Sequence, residues 1–166
     1  RNRLLLGRGA GPALGMSPAR LWLVRHAQPL VAAGTCYGRL DLPADATATQ
    51  AAAQRLAQAL PTGATAHCST LQRCEQLALS TQALRPDLTI NRDDRLREMD
   101  FGAWEGRAWD HIGQRAIDAW SADFALHRPG GGDNLAELLA RVAAALNDAR
   151  QQAQDGNDVV WFTHAG

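Results

Sequence analysis

Six residues of the chain have the types and placing that phosphoryl chemistry needs. Arg25 and His26 follow the short apolar run LWLV at 21–24, and His164 follows a second such run at Val159–Phe162. Between them lie Ser69 and Arg73 in CSTLQRC, residues 68–74, and Glu98 in LREMDFGAWEG, residues 96–106. A phosphate monoester dianion calls for several fixed cations, and arginine offers bidentate hydrogen bonds to its oxygens. An imidazole that is neutral near pH 7 can attack phosphorus with its free ring nitrogen. The leaving alkoxide then needs a proton, which a carboxylic acid with a pKa raised by partial burial can supply before taking one from water.

Each residue also has an ordinary explanation. An Arg-His pair after a strand is a common surface feature, Arg73 could be a solvated helix residue, and Glu98 could simply pair with Arg95 or Arg97. The conjunction favours a site. By contrast His67, His111 and His127 fit no motif and are expected to be structural or exposed. Trp104, Trp109 and Trp120 serve packing as readily as pocket lining. Tyr37 and Arg39, in the loop after His26, are further candidates for substrate contact.

The elements that must hold these residues follow from the hydrophobic pattern. Residues 21–24 are short and apolar, as in a fully buried strand of a parallel sheet. Residues 45–60 form a helix that stops at Pro61 and Gly63, and 64–68 a strand. Ser69-x-x-Gln72 has the form of a capping box, which places Arg73 in the first turn of a helix closed by Pro86. A weaker strand is expected at 88–91. The segment 99–128 reads as a lid with a short helix over 112–120. After Gly130-Gly131-Gly132, Asp133 or Asn134 caps a helix with the stripe Leu135, Leu138, Leu139, Val142 and Leu146, which Gly156 ends. Strands alternating with amphipathic helices imply an α/β fold, a three-layer α/β/α sandwich around a mostly parallel sheet. In such a sheet ligands bind beyond the carboxyl ends of the strands, where the Arg, His and Ser residues fall.

At 166 residues the chain has the length of one domain. Its 17 basic and 17 acidic residues balance, so no nucleic-acid or membrane partner is expected. The three cysteines, Cys36, Cys68 and Cys74, lack metal or redox spacing and suit a reducing, cytoplasmic setting. No apolar run reaches the roughly 20 residues that cross a bilayer. Residues 1–19 are expected to be a disordered leader, with Met16 as a plausible natural start.

The four motifs LWLVRHA, CSTLQRC, LREMDFGAWEG and FTHAG, in that order from Leu21 to Gly166, resemble the histidine phosphatase, or phosphoglycerate mutase-like, superfamily. The resemblance implies His26 as the nucleophile, Arg25, Arg73 and His164 as the grip on the phosphoryl oxygens, and Glu98 as general acid and base, with no metal and no cofactor. Ala27 and Ala165 stand where the family usually has Gly, and Asp133-Asn134 where it usually has Glu-Ser. The Trp in FGAWEG, the short lid and the lack of Lys look like the small-molecule phosphatase branch. Residues 36–43, CYGRLDLP, are similar to the loop of the α-ribazole phosphatases.

The expected activity is hydrolysis of a small phosphomonoester through a phosphohistidine intermediate, with α-ribazole 5'-phosphate as a candidate substrate. The alternatives are a phosphoglycerate mutase-type phosphotransferase and a catalytically silent phosphate-binding module. The resemblance further implies that the domain, residues 20–166, lacks its C-terminal end, so that His164 should be less firmly held than His26.

Overall fold

The apolar runs become strands. The computed structural model describes residues 18–165, and Arg1–Ser17 of the expected leader lie outside the described residues. The elements in order are β1 (Leu21–Arg25), α1 (Ala46–Ala59), β2 (Thr65–Cys68), α2 (Gln72–Leu84), β3 (Ile90–Arg92), α3 (Gln114–Ala122), α4 (Leu135–Gln154) and β4 (Val159–Thr163). All strand pairs are parallel, in the order β1-β4-β2-β3. The chain is thus an α/β/α sandwich.

Central β4 shows why three layers form. Alternate side chains of a strand point to opposite faces. Val160 and Phe162 join Ala53 of α1 and Cys74, Leu77 and Ala78 of α2 in one core. Val159 and Trp161 meet Ala145 and Ala149 of α4, with Leu96, in the other. Burying such a side chain contributes about 2 kcal/mol against the chain's conformational entropy. A third cluster gathers Cys36, Trp104 and Ile112 with Phe101, Trp109 and Trp120. The tryptophans of the 99–128 segment therefore pack largely on one another.

Three expectations need correction. β1 is not fully buried: it is an edge strand whose Val24 is 8% exposed but whose Leu23 is 67% exposed. α4 lies over β4 and the Asp94–Leu96 turn, leaving that face of β1 uncovered. Ser69 does not cap α2, which starts at Gln72. Instead Asp41 Oδ1 accepts the Gln72 N–H at 2.7 Å, and the Gln72 side chain donates to the Asp41 carbonyl. On α4 the fully buried positions are Ala145 and Ala149, while Leu139 remains exposed. The expected cap holds there: Asn134 Oδ1 accepts the Glu137 N–H at 2.8 Å.

Candidate active site

Because the strands run in parallel, their carboxyl ends share one edge, and β1 pairs Arg25 with Thr163 of β4. His26 and His164 are therefore side by side, with ring centroids 5.1 Å apart. His26 is almost fully buried. Its Nδ1 lies 2.7 Å from the Ala27 carbonyl, which can only accept, so the ring proton belongs on Nδ1. Arg73 Nε donates to Nε2 at 3.3 Å, which requires Nε2 to be unprotonated. Burial pushes the His26 pKa down; the Ala27 bond opposes this, and the Arg73 and Arg25 charges reinforce it. The result is a neutral imidazole with a lone pair on Nε2.

His164 has a different hold. Ser69 Oγ, itself buried, lies 2.8 Å from His164 Nε2, and Cys74 Sγ lies 3.5 Å from the same nitrogen. Burial, then the Arg73 charge, push its pKa down to about 2. The Ser69 hydroxyl thus faces this histidine while also accepting the Leu71 N–H at 3.3 Å just before α2, and His164 is less buried than His26.

Arg73 is fully buried on the first turn of α2. Its hydrogen-bond partners are neutral: His26, the Leu40 carbonyl at 2.9 Å from Nη1, and the Gly38 carbonyl at 2.6 Å from Nη2. A buried cation without a counterion is costly, and an anion placed beside it offsets that cost. Arg25, by contrast, is exposed at the end of β1.

Glu98 is half-buried and lines, with His164, Leu23, Leu139 and Trp161, a cavity of about 220 Å³. Arg141 of α4 pins the backbone around it, donating to the carbonyls of Arg95, Arg97 and Glu98. Asp133 adds two ties, accepting the Asp100 N–H through its carboxylate and donating its own N–H to the Asp100 carbonyl. Neither Arg141 nor this use of Asp133 was visible in the sequence.

Of the two loop candidates, Tyr37 is brought to the site, its ring 5.5 Å from the Arg73 guanidinium carbon. Arg39 turns away to Asp100 at 3.4 Å. The loop itself is gripped by Glu105, which accepts the N–H groups of Gly38, Arg39 and Leu40 as well as Phe101. A larger, shallow depression of about 850 Å³ lies across β3 among His67, Asn91, Arg92 and Arg95. It holds none of the expected residues, and Arg95 there is already paired with Asp93 and Asp148. Among the described residues no group of His, Cys, Asp and Glu is arranged to hold a metal ion, and no helix is long and apolar enough to cross a membrane.

Comparison with known proteins bears on this edge of the sheet. TTHB049 from Thermus thermophilus is 33% identical, with a TM-score of 0.69 over 88% of this chain and 78% of that one. The mycobacterial glucosyl-3-phosphoglycerate phosphatase Rv2419c is 25% identical, with a TM-score of 0.70 over 88% and 74%. A protein described as mycobacterial hydrolase 2 is 26% identical, with a TM-score of 0.71 over 88% and 67%. No curated protein sequence matches. The family model of the histidine phosphatase superfamily, branch 1, matches residues 21–166. The chain belongs to the histidine phosphatase superfamily.

Proposed function

We propose that the protein is a phosphomonoesterase that works through a phosphohistidine on His26 and requires no metal. One observation carries the reading: a neutral imidazole with an unprotonated Nε2, to which Arg73 Nε donates, sits against that buried guanidinium, whose hydrogen-bond partners among the described residues are all neutral. In the first step Nε2 attacks phosphorus and the bond to the leaving oxygen breaks. Glu98, as the acid, protonates the departing alkoxide. In the second, Glu98 takes a proton from water, the water oxygen attacks phosphorus, the N–P bond breaks, and phosphate leaves. Arg25, Arg73 and His164 surround the non-bridging oxygens and stabilise the charge that spreads over them.

The substrate is a small phosphorylated metabolite. The likeness of residues 36–43 to the α-ribazole phosphatase loop favours α-ribazole 5'-phosphate, with Tyr37 at the mouth. The likeness to a glucosyl-3-phosphoglycerate phosphatase supports a sugar-linked phosphomonoester in the same terms. Three buried free thiols fit a cytoplasmic setting.

The test is phosphate release from an aryl phosphate, with acid-labile phosphoprotein trapped by rapid quench. His26→Ala should abolish both signals, and Glu98→Gln should lower kcat by about 10²–10⁴-fold. Full turnover by His26→Ala would overturn the reading. Phosphoryl transfer to a second substrate without phosphate release would show a mutase, and binding without turnover a silent module.

A further inference from the structure

The Glu105 carboxylate makes four hydrogen bonds, all from backbone N–H groups. Oε2 accepts from Gly38 at 3.0 Å and Leu40 at 2.9 Å, and Oε1 from Arg39 at 3.0 Å and Phe101 at 2.9 Å. A carboxylate offers about four acceptor sites, so none is left for substrate or proton transfer. What this concentration of charge-assisted bonds holds is the loop that carries the acceptors of Arg73. The peptide between Gly38 and Arg39 gives its N–H to Glu105 Oε1 and its carbonyl to Arg73 Nη2 at 2.6 Å. Carboxylate, peptide and guanidinium are thus in line, each polarising the next. The Leu40 carbonyl takes an N–H of Arg73 Nη1, and the N–H on Nε points at His26 Nε2. Gly38 lies so close to the segment carrying Glu98 that an added Cβ would come within 2.0 Å of the Met99 carbonyl oxygen.

We propose that Glu105 is a positioning residue that fixes the Arg73 guanidinium against His26 by clamping the Gly38–Leu40 loop. The proposal rests on His26 as the nucleophile only for its effect on turnover; the coupling itself is a property of the resting site. Glutamine at 105 keeps the volume but turns an amide NH₂ towards N–H donors, so the loop must shift and Arg73 with it. A displacement of this kind remote from the chemistry lowers turnover by up to about 10²-fold.

The groups facing His26 are Arg25 from β1, Arg73 from α2 and His164 after β4, with Glu98 acting on Arg73. Releasing Arg73 removes a positive charge and a bond to Nε2, so the imidazole should take up a proton more readily. The experiment compares wild type, Glu105→Gln, Arg73→Ala and the double variant. It uses turnover of p-nitrophenyl phosphate and histidine ring NMR titration, with the His26 signal assigned by His26→Asn.

The expected result is a kcat lowered roughly 10–100-fold in Glu105→Gln, a His26 midpoint moved to higher pH, and less than about a two-fold further loss when Glu105→Gln is added to Arg73→Ala. An unmoved midpoint, or an equal loss in the Arg73→Ala background, overturns the proposal. Glu105→Asp, which keeps the charge at shorter reach, is titrated in the same way if Glu105→Gln does not fold. If wild type shows no turnover the phosphatase reading fails, while the NMR midpoints still decide whether Glu105 acts through Arg73.

Discussion

Two desolvated imidazoles packed beside the Arg73 guanidinium cannot both carry a proton, and this shapes how the site responds to acid. The free-enzyme pKa of His26 lies below 6.5 because burial and the Arg73 charge disfavour the imidazolium. The acid limb of kcat/KM should therefore fall below pH 6.5, with activity level from there through neutrality, as a pH–rate profile on an aryl phosphate would show. A limb centred above about 7 would contradict the geometry. His26, Arg73, Glu98 and His164 were legible because their motifs follow one another in a fixed order along the chain. Ser69 was legible as a strand-end residue but not as the partner of His164, because S-x-x-Q has the form of a helix cap whether or not the hydroxyl is used as one. Glu105 left no trace, since its partners are backbone N–H groups and spacing does not report them.

At the scale of elements, the loop after β1 and the start of α2 are one device. Asp41 stands where a cap residue would stand, but it comes from 31 positions upstream. Asp41→Ala should cost about 1 kcal/mol, at the level of a lost N-cap. Because Arg73 is the next residue of the helix, kcat should fall with it. A thermal melt paired with steady-state kinetics checks both, and lower stability with unchanged kcat would separate the cap from the site. Helix and strand positions were readable to within a residue or two from apolar periodicity, Pro and Gly. Strand order was not: LWLV reads the same in the middle of a sheet as at its edge, and only the packing of α4 on β4 reveals that Leu23 faces outwards.

For the whole molecule, the two histidines link stability to pH. Both have folded-state pKa values lowered by burial, His164 to about 2. Below the unfolded value of about 6.5 the unfolded chain binds more protons than the native one. Their contribution is therefore fully present above that pH and is lost as pH falls, with a limiting slope of about 1.4 kcal/mol per pH unit for each histidine. Lowered carboxylates such as Asp93, bonded to Arg95, add their own loss only nearer about pH 4. The melting temperature should thus decline already between about pH 6.5 and 5, and His164→Asn should remove part of that decline. A flat profile in this window would mean that the rings are not desolvated.

The aromatic cluster of the 99–128 segment has an optical consequence. Trp109 and Trp120 lie nearly parallel, 6.4 Å between ring centroids and 10° between planes, and Trp104 meets each of them edge-on. Chromophores this close share their excited states, so the segment carries its own exciton signature in circular dichroism. Trp22 and Trp161, on neighbouring strands of the sheet, pack into its two separate cores, apart from this cluster. The 99–128 segment and the sheet can therefore be followed as two distinct reporters in one unlabelled molecule.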